Sequence, residues 1–159
     1  MHNKYVKILI FVVTCIGVGF IAGTATQSGV TEWFPTLVKP SFNPPNWVFA
    51  PVWSFLYMIM GIAAGRVWGR INFEREAVRK ALTFFFIQLA LNALWPVLFF
   101  GLHNPLLALI EIALLWLMIY ETYTQFKKID KIAGLIFIPY LAWVSFAAVL
   151  NASLWWLNR

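Results

Sequence analysis

The stretch Ile8-Leu-Ile-Phe-Val-Val-Thr-Cys-Ile-Gly-Val-Gly-Phe-Ile-Ala-Gly-Thr-Ala25 contains no charged residue and follows a short basic start with Lys4 and Lys7. An apolar run of about 18 residues or more is what a helix needs to cross a bilayer. The run is long for the core of a signal peptide, and Gly19-x-x-x-Gly23 allows a neighbouring helix to approach closely. It therefore reads as a retained membrane helix.

Four further apolar segments follow, at about Asn46 to Trp68, Ala81 to Phe100, Pro105 to Phe126 and Ile132 to Leu157. The fold class is an all-α membrane protein, a five-transmembrane-helix bundle forming one domain over residues 1–159. Between the first two segments, residues 27–45 are polar and carry Pro35, Pro40, Pro44 and Pro45. Missing backbone N–H groups preclude a continuous helix there, and the segment reads as a structured outer loop. Pro44, Pro45 and Pro51 fall before or near the first turns of the second helix, where a lost N–H does least harm. Gly101 to Asn104 is barely a turn, which makes the third and fourth helices antiparallel neighbours.

Composition agrees with this class. Of 159 residues, 62% are hydrophobic and 11% charged, against about 25% charged in an ordinary soluble domain. A soluble enzyme is excluded. The 15 Phe, 9 Trp and 5 Tyr suit both bilayer interfaces and pockets for large flat ligands. Cys15 is alone, and His2 and His103 lie far apart, so no spacing for zinc, an iron–sulfur cluster, covalent haem or an internal disulfide exists. No metal site is expected.

Charge sets the orientation. With five spans, Lys4, Lys7, Arg66, Arg70, Arg75, Arg79, Lys80, Lys127, Lys128 and Lys131 share one side, ten cations against Lys39 and Arg159 on the other. Lys and Arg in short loops stay cytoplasmic, which predicts a cytoplasmic N-terminus and an outward-facing proline-rich loop in a bacterial cell membrane. The net charge of +6 is thus mainly a topology signal, and a nucleic-acid partner is not expected.

Polar residues inside spans face the bundle interior or a cavity. Gln88, Asn92, Trp95 and Phe99 recur at i, i+4, i+7 and i+11 on one stripe. Trp53 and Tyr57 are one turn apart on the second helix; Pro139, Trp143, Ala147 and Asn151 are spaced by four on the fifth, with Leu150 beside them. The spacing leaves two readings open: one shared pocket, or amides that only hydrogen-bond between helices at about 0.6 kcal/mol each. The glycine pairs, Gly61-x-x-x-Gly65 included, read as close packing within the bundle or as a dimer interface. Glu111 has no partner carboxylate or histidine at its depth for a proton relay, and Glu121 reads as an end residue reaching the interface. A small multidrug antiporter would carry a carboxylate in its first helix, which is absent. No G-x-S-x-G, glycine-rich phosphate loop or catalytic carboxylate pair occurs, so conventional acid–base catalysis has no support.

Three stretches resemble the TspO/MBR family, the translocator proteins or peripheral-type benzodiazepine receptors. These are Lys39-Pro-Ser-Phe-Asn-Pro-Pro-Asn-Trp-Val-Phe-Ala-Pro-Val-Trp-Ser-Phe-Leu-Tyr57, Gln88-Leu-Ala-Leu-Asn-Ala-Leu-Trp-Pro-Val-Leu-Phe-Phe-Gly101 and Pro139-Tyr-Leu-Ala-Trp-Val-Ser-Phe-Ala-Ala-Val-Leu-Asn151. The resemblance implies a five-helix bundle, commonly a homodimer, that binds protoporphyrin IX and other flat hydrophobic molecules in a pocket capped by the first loop. Carried over, the ligand-binding residues are Trp33, Phe34, Trp53, Tyr57, Asn92, Trp95, Trp143, Ala147 and Leu150, with Gln88 on the same stripe. Indole faces can stack on the ring while N–H groups meet its acidic edge. No cofactor is required, and the porphyrin is a ligand; without an intramembrane histidine, metal-free porphyrin is favoured over haem. The sterol-recognition pattern of animal members, which needs a Tyr and a following basic residue after the fifth helix, is missing from Asn151-Ala-Ser-Leu-Trp-Trp156, so cholesterol import gains no support. Leu117, Tyr123 and Lys127 fit the same loose pattern on the fourth helix. The expected function is porphyrin sensing, sequestration or transport. The alternative is light-dependent oxidative degradation of the bound porphyrin, with Trp143 taking part, and a scaffold with a vestigial pocket is a third.

Overall fold

The computed structural model describes residues 3–159; His2, considered above as a metal ligand, lies outside the described residues. Five α-helices form the molecule: α1 (Lys4–Ala25), α2 (Asn46–Trp68), α3 (Arg75–Pro96), α4 (Pro105–Ile129) and α5 (Lys131–Leu157). All five are long and apolar enough to cross a membrane. Each outer face is apolar, as lipid contact requires: Leu9, Val13 and Phe20 on α1 and Ile110, Leu114 and Leu117 on α4 are more than half exposed.

The ends follow from local chemistry. Asn3 Oδ1 accepts from the Tyr5 N–H at 3.1 Å to start α1, and Asn104 Oδ1 accepts from the Leu107 N–H at 3.0 Å to start α4, with Pro105 in the first position. Pro45 precedes α2, and Pro51 lies inside it. Pro96 has no N–H to donate back along α3, and from there the helix widens into a π turn, Val97–Gly101, closed by the Leu102 N–H on the Val97 carbonyl at 2.9 Å. The third span therefore runs from Arg75 to Gly101. It starts well before the expected Ala81, because the polar residues Arg75, Glu76, Arg79 and Lys80 form exposed helical turns that an apolar pattern does not register. For the same reason α4 runs past Phe126 to Ile129.

The helices form a ring in which α1 packs on α2, α2 on α5, α5 on α4 and α4 on α3, with α3 closing on α1. The antiparallel pairing of α3 and α4 is as their short turn requires. Gly61 and Gly65 face α1: a Cβ at Gly61 would strike the Val12 backbone, and one at Gly65 the Ile8 backbone. This glycine pair thus serves contact within the bundle. Beneath it lies a core of Phe11, Cys15, Met60, Phe85, Phe126 and Phe137.

At the basic end, Arg66 of α2 pairs with Asp130 between α4 and α5 at 3.0 Å, the one ion pair among the described residues. Burial opposes ionisation of Asp130. The Arg66 guanidinium and the backbone N–H groups of Ala133 and Ile132 outweigh it and hold the carboxyl below its ordinary value. Glu121 accepts from Gln125 at 2.8 Å, whereas Glu111, 5% exposed, has no hydrogen-bond partner on either oxygen. Among the described residues no group of three potential metal ligands exists.

Candidate functional site

The end of the bundle opposite the basic residues encloses a cavity of about 440 Å³. All five helices and the first loop contribute to its walls, α4 through Ile112 and Leu115, and aromatic rings dominate them. Trp53 and Tyr57 enter from α2, Asn92 and Trp95 from α3, Phe99 from the π turn that follows it, and Trp143, Ala147 and Leu150 from α5. Phe34 enters from the loop. That loop is structured: a π turn at Gly29–Trp33 and a tighter helical turn at Phe34–Thr36 fold over the cavity. Phe34, 6% exposed, packs edge-on against Phe100 at 5.7 Å.

The polar groups of the wall are mostly paired with one another. Tyr57 OH donates to Asn92 Oδ1 at 2.6 Å, Asn92 Nδ2 donates to Tyr140 OH at 2.7 Å, and Tyr140 OH donates to Gln88 Oε1 at 2.7 Å. Nearer the loop, Trp95 Nε1 donates to Asn151 Oδ1 at 3.0 Å, and Asn151 Nδ2 to the Pro105 carbonyl at 2.9 Å. These bonds tie α2, α3, α4 and α5 together, so the amides act as interhelical ties even where they line the cavity. Trp143 differs. Its Nε1 is buried and has no partner, while its ring packs against Phe49 and Phe146. A buried N–H left unpaired costs about 1–3 kcal/mol, and because this atom is closed off, a ligand acceptor reaches it only when the Trp143 ring or a neighbour shifts.

Eight of the ten residues expected at the site line the cavity: Phe34, Trp53, Tyr57, Asn92, Trp95, Trp143, Ala147 and Leu150. Gln88 and Trp33 do not. Gln88 sits one helical turn deeper than Asn92, fully buried, with its amide engaged by Tyr140 and, at 3.7 Å, by Met60 Sδ. Trp33 precedes Phe34 on a helical turn, and successive helical side chains diverge by about 100°. Phe34 points inward, and Trp33 lies instead against His103 and Phe99.

Residues of the wall and of the hydrogen-bond network behind it extend the set named from the sequence. Gly19 and Gly23 bring α1 into the wall, and a Cβ at Gly19 would overlap the Tyr57 ring. The glycine spacing was visible, but its partner was not. Phe49 and Phe146 could have been found from helical spacing, one turn from Trp53 and Trp143 respectively. Asn151, expected on the α5 stripe with Trp143 and Ala147, is a member of the wall. Tyr140, hidden behind Pro139, is fully buried and joins two amides of α3.

The profile of the TspO/MBR family matches residues 11–157. The chain is 40% identical over 158 residues to the Tryptophan-rich protein TspO of Chlorobaculum tepidum, covering 99% of each chain. It is 38% identical over 152 residues to Protein CrtK of Rhodobacter capsulatus, covering 96% of this chain and 94% of that one. To the human Translocator protein it is 34% identical over 136 residues, covering 86% and 80%. Five membrane-length helices, an aromatic cavity beneath the first loop and this likeness over nearly the full length converge: the chain is an integral multi-pass membrane protein and belongs to the TspO/MBR family.

Proposed function

We propose that the cavity binds a flat, conjugated tetrapyrrole of the protoporphyrin IX kind, and that the protein acts in porphyrin sensing, sequestration or transport. The observation that carries this reading is the wall itself: three indoles, Trp53, Trp95 and Trp143, with one buried N–H left without a partner. Such walls stack on extended π-systems, and a turn of the Trp143 ring would bring its unpaired N–H to an acceptor on the ligand's edge. A volume near 440 Å³ falls within the range of about 300–1,000 Å³ usual for small-ligand sites. Among the described residues no histidine, cysteine or methionine lines the cavity, and its one tyrosine, Tyr57, has its hydroxyl bonded to Asn92, which supports metal-free porphyrin over iron-ligated haem. The orientation with a cytoplasmic N-terminus in a bacterial cell membrane is supported by the basic end of the bundle, and homodimerisation belongs to the same reading.

The same indoles favour a second reading. Light excitation of the bound ring lets dioxygen, the sole oxidant, add across a methine double bond, which breaks as both oxygen atoms become carbonyls and the ring opens. An indole beside the ring takes part by lending an electron to the excited porphyrin and recovering it. One experiment addresses both. Protoporphyrin IX is added to the purified protein, and absorption is recorded in darkness and under illumination in air. A saturable shifted spectrum, stable under light, supports binding alone; bleaching to new bands only with protein, light and oxygen supports degradation. No saturable spectral change in darkness would sink the tetrapyrrole reading.

A further inference from the structure

The loop over the cavity is fastened to the turn between α3 and α4 by a pair of stacked rings. Trp33 lies flat on His103, with ring centroids 4.6 Å apart and planes 3° from parallel. Around this stack the loop is seated closely. Gly29 meets the Phe100 carbonyl, where a Cβ would not fit, and Trp33 also packs edge-on against Phe99 at 5.5 Å. His103 has φ 53°, the one residue other than glycine with positive φ among the described residues. Histidine, asparagine and aspartate are the side chains that tolerate this left-handed backbone best. The turn directly precedes the Asn104 cap of α4, so the imidazole is presented from a fixed base.

Histidine is the residue type whose charge changes between about pH 5 and pH 8. A neutral imidazole on an indole face gains dispersion; an imidazolium there gains cation–π attraction as well. One charged group of the loop shares this surface. Glu32, from the same loop, lines the small surface hollow shared by Ser28, Trp33, Thr36 and His103. Lys39, the loop's cation, sits elsewhere, over the Phe34 ring at 4.9 Å with its Nζ on the Leu37 carbonyl. From the α3 and α4 side, Phe99 and Asn104 are uncharged.

We propose that His103 is a proton-operated latch on the cavity lid: when protonated it holds residues 29–36 closed over the cavity more firmly than the neutral ring does. The charged ring gains only while the lid is shut. The added closure is therefore present at about pH 5 and lost by about pH 8, the range over which histidine side chains change charge. For a stack at an exposed site the effect is about two- to five-fold in the closed-to-open ratio. Its consequence, slower release of bound ligand at low pH, rests on the reading of the cavity as a ligand site.

The test is hydrogen–deuterium exchange of the full-length protein in detergent at pH 5 and pH 8, corrected for intrinsic exchange and read at residues 29–36. The native protein should show about two- to five-fold more protection at pH 5. His103→Asn keeps a side chain suited to the left-handed backbone and should abolish the difference. Glu32→Gln should retain most of it. Equal protection at both pH values, the same pH dependence in His103→Asn, or its complete loss in Glu32→Gln would each overturn the latch. Release of protoporphyrin IX, timed on the same samples, separates the two readings. Slower release at pH 5 in the native protein alone ties the lid to the ligand; absence of binding with the exchange pattern intact would reject the ligand and leave the latch standing.

Discussion

Trp95 donates its indole N–H to Asn151 at 3.0 Å, and Asn151 passes the connection on to the Pro105 carbonyl at 2.9 Å, so one amide joins the ends of α3, α5 and α4. Asn151→Ala leaves the indole and carbonyl unpaired, and the expected loss is about 1–3 kcal/mol. Thermal unfolding in detergent checks this. In Trp95→Phe the indole donor is already gone, and adding Asn151→Ala should cost less than the sum of the single changes.

Asn92→Ala carries a different expectation. Tyr57 and Tyr140 both bond to this side chain, and the substitution breaks the chain of donors that reaches Gln88. Both stability and porphyrin affinity should fall, because the cavity wall loses its geometry together with its polar contact. Normal unfolding with unchanged titration of protoporphyrin IX would remove Asn92 from both roles.

Trp143→Phe tests the unpaired N–H. Phenylalanine retains a stacking face but neither donates a hydrogen bond nor oxidises readily. Dark affinity for protoporphyrin IX should fall by no more than about fivefold, one hydrogen bond's worth, while any photobleaching slows clearly. Bleaching at the native rate with unchanged affinity would exclude Trp143 as electron donor.

Stability toward acid should depend on Asp130. Its folded-state carboxyl titrates below the ordinary value, so the stabilisation is complete above the unfolded aspartate value, about 3.9, and disappears as pH falls through the lower folded value. Asp130→Asn should weaken the protein by on the order of 1–3 kcal/mol at pH 7, since Arg66 is left half-buried without its counter-charge. It should also flatten the acid limb below about pH 4. An unchanged acid limb, measured by urea unfolding at several pH values, would show that the pair contributes nothing.

The contact between α1 and α2 leaves no room at Gly65, whose added Cβ meets the Ile8 backbone. Gly65→Val should cost about 1–3 kcal/mol by overpacking. Gly23→Val, at a position with nothing within 4 Å, should leave monomer stability nearly unchanged. Parallel melting curves of the two variants decide this.

Much of this architecture is legible in the sequence because the spans announce themselves by length and the α3 stripe by its spacing. Gln88, Asn92, Trp95 and Phe99 do share one inward face. Spacing along one helix gives direction but not what a neighbouring helix supplies there. Tyr140, from α5, bonds both amides, and depth decides the rest: Gln88, one turn further in, is core while Asn92 reaches the cavity. Trp33 and Phe34 show the same limit at the loop, where only the helical turn decides which ring faces inward. The polar first turns of α3 were missed because hydropathy reports the membrane and not the helix that projects beyond it.

The cavity wall also has a side facing lipid. Phe20 on α1 and Ala50 and Ser54 on α2 line it and are themselves exposed on the bundle surface. Any apolar guest arriving there comes from the hydrocarbon phase, at a concentration set by partitioning rather than by the amount in the buffer. Apparent dissociation constants should therefore scale with the quantity of detergent or lipid in the assay, and two laboratories using different micelle loads would measure different affinities for one identical site. Expressed as mole fraction of ligand in the apolar phase, the values should coincide.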